Sequence, residues 1–396
     1  MHTTRTPAHP RIPRRPRAAL LVVGLLALAL ALAACAEDEP DDAVDEPDDD
    51  VEEPEDEPDD DDDDAADDPA DGDADEPDED ADDPEDEADE DGDEPEEVTL
   101  EFVTAWEDDS DEVQGFWQFA ERLEEEAPWI ELEYRGGPET FPNDQQGEAV
   151  RDGAVDMSVV AATYYTQNMP FAHAMKLTPF LPEEEREHGI YDLYREQHRE
   201  HLNAHYLGKT KANTPFFLYS NEPIESADLS GLRVRVSPVY EPLVQELDGS
   251  AVSMAPDEVY TALERGAVDA FGWPATGVTD RGWEEVTEYE LRPGFYELDV
   301  GVIVNIDVWE GLDERTREAM TDAMEETERE IPDFYEESLE EEVAEREAAG
   351  MEIIELPDDE AEAFLEAADR AGWEDAIEQA PEAEEFRELI EEIEGE

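Results

Sequence analysis

Two arginines alternate with valines in Arg233-Val234-Arg235-Val236. Such alternation reads as a half-buried strand with both guanidinium groups on one side. A guanidinium is a planar fork of N–H donors that fits a carboxylate through two parallel hydrogen bonds. The chemistry open to this pair is the gripping of an organic anion. Trp273 stands in a second strand-like run, Ala270-Phe271-Gly272-Trp273-Pro274. Bond-breaking chemistry has little to work with here. There is no Gly-x-Ser-x-Gly and no His-Glu-x-x-His, and the lone cysteine is Cys35. His201 and His205 stand four apart and could share a metal on a helix. The sequence between them, Leu-Asn-Ala, lacks the glutamate of a metalloprotease.

The elements that must position Arg235 and Trp273 lie between 229 and 274. After the arginine strand comes a turn at Ser237-Pro238. Val239, Leu243, Val244 and Leu247 then recur at helical spacing, and Gly249 ends that helix. Residues 251–254 form a second short strand. Tyr260 and Leu263 share a face of the next helix, which stops at Gly266, and Val268 opens a third strand. Strands alternating with short helices predict a mostly parallel sheet flanked by helices. In open sheets of that kind ligands sit at the carboxyl ends of the strands, near Arg235 and Trp273 in this reading.

The same α/β alternation starts at residue 98. Strands are expected at 98–106, 129–134 and 155–160, with helical faces at Val113, Phe116, Trp117, Ala120 and Leu123 and at 148–151. Tyr164 and Tyr165 follow the third strand. A helix is expected over 183–205, then one long strand over 209–220 crossing between two halves of the molecule. An apolar strand at 300–305 returns. A long helix over 313–349 carries Pro332 and ends at Gly350. A strand at 351–356 and two helices around Phe364, Leu365 and Leu389 close the chain.

The 396 residues include 120 acids and 25 bases, for a formal charge of −95. Binding to nucleic acid needs basic patches, so it is excluded as a function. Lysine occurs only at 176, 209 and 211. Diffuse negative charge of this size strains a compact fold at low salt, and molar salt screens it within about 3 Å. The composition is that of a halophile's protein. Residues 5–17 are arginine-rich and precede an apolar run over 18–34 that fits a signal peptide and is short for a membrane span. Small residues before Cys35 resemble a lipobox, which makes Cys35 the expected lipidation site. Residues 36–97 carry only acidic charges, with Asp-Glu-Pro-Asp repeated four times. Nothing there can bury apolar surface, so a disordered tether is expected, reaching roughly 200 Å when stretched.

Leu229-x-Gly231-Leu232-Arg233-x-Arg235-Val236, followed by Glu258-Val259-Tyr260-x-Ala262-Leu263-x-x-Gly266-x-Val268-Asp269, resembles the DctP-type solute-binding proteins of tripartite ATP-independent periplasmic (TRAP) transporters. Gly136-Gly137-Pro138-Glu139, Ala149-Val150-Arg151, Pro179-Phe180-Leu181, and Asn305 with Trp309 fall in the family's order. The resemblance implies a two-lobed periplasmic-binding-protein-like fold, each lobe a mixed sheet flanked by helices. Crossing strands and a long helix join the lobes, and the ligand is enclosed by hinge closure. The lobes are expected at 98–213 with 303–340 and at 214–302 with 341–396, behind a signal peptide (1–34) and a tether (35–97).

The resemblance also chooses between the two arginines, placing a substrate carboxylate on Arg235. It assigns Trp273, Tyr164, Tyr165, Trp106 and Phe216 to the ligand's surroundings. Some relatives ligate a metal through a glutamate where Gly272 stands here, so no metal or other cofactor is expected. The implied protein is not an enzyme. It is an exported, lipid-anchored receptor that hands a small organic acid to TRAP membrane subunits. A receptor for an ATP-driven importer has a similar fold and is the alternative; a secreted hydrolase is the weaker rival. From charge alone, the fold should expand or unfold below about 0.5 M salt. The check is a melting temperature measured across a salt series, and a salt-independent value would contradict it.

Overall fold

The computed structural model describes residues 95–395. The expected signal peptide, Cys35 and nearly all of the tether lie outside the described residues. Among those described, no helix is long and apolar enough to cross a membrane.

Two mixed sheets organise the chain. The first contains β1 (Val98–Thr104), β2 (Ile130–Tyr134), β3 (Met157–Ala161), β4 (Ala204–Lys211) and β10 (Val300–Asn305), in the order β2-β1-β3-β10-β4. β1 runs parallel to β2 and β3, and β10 inserts antiparallel between β3 and β4. The second contains β5 (Pro215–Ser220), β6 (Arg233–Val236), β7 (Ser250–Ser253), β8 (Ala270–Pro274), β9 (Tyr289–Glu297) and β11 (Glu352–Glu355), in the order β11-β9-β5-β8-β6-β7. β6 is parallel to β7 and β8, whereas β5 is antiparallel to β8 and β9. Central strands such as β3 and β10 are buried throughout, which is why they read as continuous apolar runs.

Three segments pass between the sheets. The strand expected over 209–220 is two strands, β4 in one sheet and β5 in the other. They are separated at Asn213, whose φ of 58° places it in the left-handed region. β9 and β10 cross at Leu298-Asp299, and Leu298 N–H donates to Thr214 O at 3.3 Å, so the two crossings run side by side. The third is the helix Glu314–Ala349, capped by the Asp313 side chain on Thr316 N and ended by Gly350 at φ 106°. Its Glu328 accepts from Tyr191 Oη and Lys209 N and pairs with Arg186, on the side of the first sheet. Further along, Glu342 accepts three backbone N–H bonds, from Gly277, Val278 and Thr279, at 2.6–2.9 Å. Arg346 donates to Ala275 O and pairs with Glu290, on the side of the second sheet.

The helix expected over 183–205 divides at Gly189 and ends at Leu202. Asn203 adopts φ 46°, and β4 begins at Ala204. His205 therefore lies on a strand, stacked on Trp309 at 3.9 Å, while His201 is exposed on the helix. The expected four-residue helical spacing of the two does not exist. Among the described residues no group of three or more His, Cys, Asp or Glu is placed to hold a metal.

All three lysines are buried. Lys211 pairs with Asp111, and Thr276 Oγ1 bonds both of them, tying β4 to the loop after β8. Burial pushes the Asp111 carboxyl up, but the Lys211 charge and the bonds from Lys211 and Thr276 outweigh it and hold it below the usual range. Asp111→Ala strands a buried ammonium and should lower the unfolding free energy by about 3–5 kcal/mol, with Lys211→Met in the same chain restoring most of it. Denaturant titration checks this, and a loss below about 1 kcal/mol contradicts it. His198 is fully buried, and burial holds its imidazole down at about 4. The unfolded chain then binds a proton that the folded one refuses, so this contribution is complete above pH 6.5 and lost as pH falls toward 4. Relative to His198→Gln, the wild type should lose about 3 kcal/mol more between pH 7 and pH 4. Parallel stability curves for the two would contradict it.

Candidate ligand-binding site

β6 buries Val234 and Val236 completely and turns its two arginines to the other face. The arginines share that face but not their surroundings. Arg233 is half-exposed and forked onto Asp269, Nε at 2.9 Å and Nη2 at 2.5 Å. Arg235 is only 3% exposed. Its Nε and Nη2 donate to Met254 O at 3.2 and 3.0 Å, and its Nη1 donates to Tyr240 Oη at 2.9 Å. Three of its five N–H groups are thereby used, which leaves one on each terminal nitrogen. Among the described residues the only other buried arginine is Arg346, and it pairs with Glu290 and Glu342. Arg235 has no carboxylate partner among them, in a chain with 120 acids.

Tyr240 is what holds Arg235 from below, and Gly272 is what admits Tyr240. A Cβ on Gly272 would lie 2.7 Å from the Tyr240 ring. The Tyr240 hydroxyl donates to Gly272 O at 2.8 Å while accepting from Arg235. Phe216 packs its ring at a tilt against Tyr240 and Phe295, so it bears on the arginine through Tyr240.

Trp273 is also buried. Its indole lies under the Arg235 guanidinium at 5.6 Å and under that of Arg281 at 4.6 Å, and it packs edge-on against Trp283. Its Nε1–H finds no acceptor among the described residues, and neither does that of Trp106. Gly277, at φ 90°, marks where these groups meet. A Cβ there would lie 3.1 Å from Arg281 Nη1, 3.1 Å from Glu112 Oε1 and 3.4 Å from Trp273 Nε1.

The first sheet contributes the opposite wall. Trp106 follows β1 and packs at a tilt against Tyr164, which follows β3, with ring centroids 5.6 Å apart. Burial pushes the Tyr164 hydroxyl up to about 12, moderated by the charge of Arg235, so the guanidinium acts on a residue of the other sheet. Between the walls lies a cleft of about 680 Å³ whose lining includes Trp106, Asn143, Ala255, Tyr260, Arg281 and Trp283. Arg235 sits just beneath this lining, held to the carbonyl of Met254, the residue before Ala255.

Of the expected site residues only Trp106 lines this cleft; Tyr164 and Trp273 pack against lining residues, Arg235 lies beside Trp273, and Phe216 stands behind Tyr240. Tyr165 does not join them. The short helical turn at Ala162–Tyr164 sends Tyr165 into the core, fully buried, with its hydroxyl 2.9 Å from His198 Nε2. The expectation that Tyr165 lines the cleft is corrected on that ground. Sequence reading passed over Tyr240, Arg281 and Glu112. Of these only Tyr240 left a signal, standing one turn past Ser237-Pro238 and five residues from Arg235.

Residues 102–379 match the family model for bacterial extracellular solute-binding proteins, family 7 (DctP). A solute-binding protein of Chromohalobacter salexigens is 30% identical over 145 residues, which is 36% of this chain and 43% of that protein. The chain thus spans less than half the length of that curated relative. A TRAP periplasmic solute-binding protein from Desulfovibrio salexigens, solved with orotic acid, superposes with a TM-score of 0.67 at 20% identity, covering 74% of this chain and 97% of that one. Another, from Chromohalobacter salexigens with D-glucuronate, gives 0.65 at 23% identity over 74% and 98%. At such identity these likenesses speak for the fold, two mixed sheets flanked by helices in a two-lobed arrangement. With the family model covering most of the described residues, the chain belongs to the bacterial extracellular solute-binding proteins of family 7, which bind solutes and are not enzymes.

Proposed function

We propose that this protein is the exported receptor of a TRAP-type secondary transporter, anchored by a lipid on Cys35, and that it captures a small organic carboxylate by closing two lobes on it. The observation that carries this reading is Arg235, a buried arginine with two N–H donors to spare and no carboxylate partner among the described residues. Burying a guanidinium without a counter-charge is costly unless the charge is used. A ligand carboxylate supplies both the missing charge and the missing acceptors in one fork-to-fork contact. Met254 and Tyr240 hold the guanidinium still, so little side-chain entropy is lost when the ligand arrives.

The remaining groups suit the body of such a ligand. Trp106, Tyr164 and Trp273 offer flat apolar faces, and the two free indole N–H groups offer donors to hydroxyl or carbonyl oxygens. Arg235 lies beneath the cleft lining, so entry needs the walls to part. The two strand crossings and the helix Glu314–Ala349 supply the hinge. Both relatives solved with ligands, described above, carry organic acids, orotic acid and D-glucuronate. Delivery to membrane subunits follows from this role. The setting is high salt, which screens the repulsion between the anionic ligand and the anionic receptor while leaving the short contact at Arg235 intact.

A thermal-shift screen of organic acids in molar salt should find the ligand, and titration calorimetry should then show that Arg235→Ala lowers its affinity at least ~100-fold with an unchanged far-UV spectrum. Equal affinity in the variant would remove Arg235 from the site.

A further inference from the structure

The cleft lining contains one cation, Arg281, and four carboxylates, Glu107, Asp109, Asp257 and Asp280. Arg281 is not free to serve an anion. Its Nη2 lies 3.0 Å from Glu112 Oε1, its Nη1 donates to Gly277 O at 2.8 Å, and its guanidinium covers the rings of Trp273 and Trp283. Glu112 is 1% exposed and comes from the opposite side of the cleft, beside Asp111 and ahead of the helix Gln114–Glu126. A buried carboxylate thus cancels the second guanidinium across the gap. Arg235 and Arg281 flank one indole, yet only Arg235 keeps its charge unopposed.

We infer that the Glu112–Arg281 pair is the specificity element of this site, and that it restricts the ligand to acids bearing a single carboxylate. This rests on Arg235 being the carboxylate grip. One carboxylate neutralises Arg235. A second, carried to the Arg281 side of Trp273, meets a cation already spent on Glu112 and a rim of four acids. Leaving a desolvated carboxylate unpaired costs several kcal/mol. The repulsive half of specificity is therefore built into the wall, and the attractive half sits at Arg235. Burial and the charges of Asp111 and Glu112 push the Asp280 carboxyl up, in keeping with a wall already crowded with negative charge. Glu112 has a second role as the cross-cleft partner of Arg281, which draws the walls together without a ligand charge at that end.

The test compares acids that differ only by one carboxylate, butanoate against succinate and benzoate against isophthalate. Affinities are read by calorimetry and thermal shift in molar salt, for wild type, Glu112→Gln, Glu112→Gln with Arg281→Gln, and Arg235→Ala. The wild type should prefer the monoacid of each pair. Glu112→Gln keeps the shape of the side chain but frees the Arg281 charge, and should shift the diacid-to-monoacid affinity ratio by about tenfold or more toward the diacid. Arg281→Gln in the same chain should abolish that shift, which separates a charge effect from a loosened cleft. A Glu112→Gln protein with no gain for the diacids overturns the inference, as does a wild type that prefers succinate to butanoate. If Arg235→Ala still binds the monoacids as the wild type does, the grip is misassigned and the reading beneath the inference falls, whereas a missing Glu112→Gln shift with Arg235→Ala inert overturns the inference alone.

Discussion

A positive charge removed from water must be answered, and among the described residues three of the five buried cations are answered by carboxylates of the protein itself. Lys209 meets Glu185, Lys211 meets Asp111, and Arg346 meets Glu290 and Glu342. Lys176 has only the His173 carbonyl and the Tyr296 ring, but burial lowers its ammonium to about 8, so it can shed its charge. Arg235, which cannot, is answered only by a carbonyl and a phenol. With acids as abundant as they are here, a carbonyl and a hydroxyl in place of a carboxylate leave the Arg235 charge available for the proposed ligand. Those two neutral acceptors fix the guanidinium without quenching it. That is the arrangement a receptor needs: the geometry is settled before binding, and the charge is satisfied only by it.

The surrounding architecture suits the proposed opening and closing around such a group. A guanidinium within one rigid sheet could not be both desolvated and reachable. In the proposed mechanism two sheets joined by paired strand crossings and one long helix solve this, the walls parting about the crossings at Asn213 and Leu298-Asp299. The helix Glu314–Ala349 carries ion-pair networks at both ends of the crossing, Glu328 with Arg186 on one side and Glu342 with Arg346 on the other. It is therefore tied to both sheets. Contacts across the cleft include polar ones, such as Glu112 with Arg281 and Asp280 with the Asp111 N–H. Polar contacts of that kind trade readily for water when the walls part.

Much of the fold was legible from the chain because its central strands are buried on both faces and read as apolar runs, β3 and β10 above all. What was not legible has specific causes. β9 carries Pro293 and Gly294, which erase the alternation, and register shifts against β5 absorb them. The break between β4 and β5 falls at Ala212-Asn213-Thr214, with neither glycine nor proline to announce it. Asn203 ends a helix in the left-handed region, a signal that an asparagine gives only weakly, and His205 was misplaced as a result. At the site, alternation could put Arg233 and Arg235 on one face but could not tell them apart. The difference lies in Asp269, 36 residues on, which takes Arg233. Glu112 and Arg281 are farther apart still, and no local pattern joins them. Tyr164 and Tyr165 are neighbours in sequence and part company over one helical turn.

The most direct measurement is a crystal structure of the protein grown in molar salt with the tightest-binding organic acid from the screen. The account predicts that the carboxylate lies between the closed walls, accepting from Nη1 and Nη2 of Arg235, while Met254 O and Tyr240 Oη keep their bonds. A ligand carboxylate seated on Arg281 or Arg233 instead, with Arg235 still bonded only to Met254 and Tyr240, would contradict it.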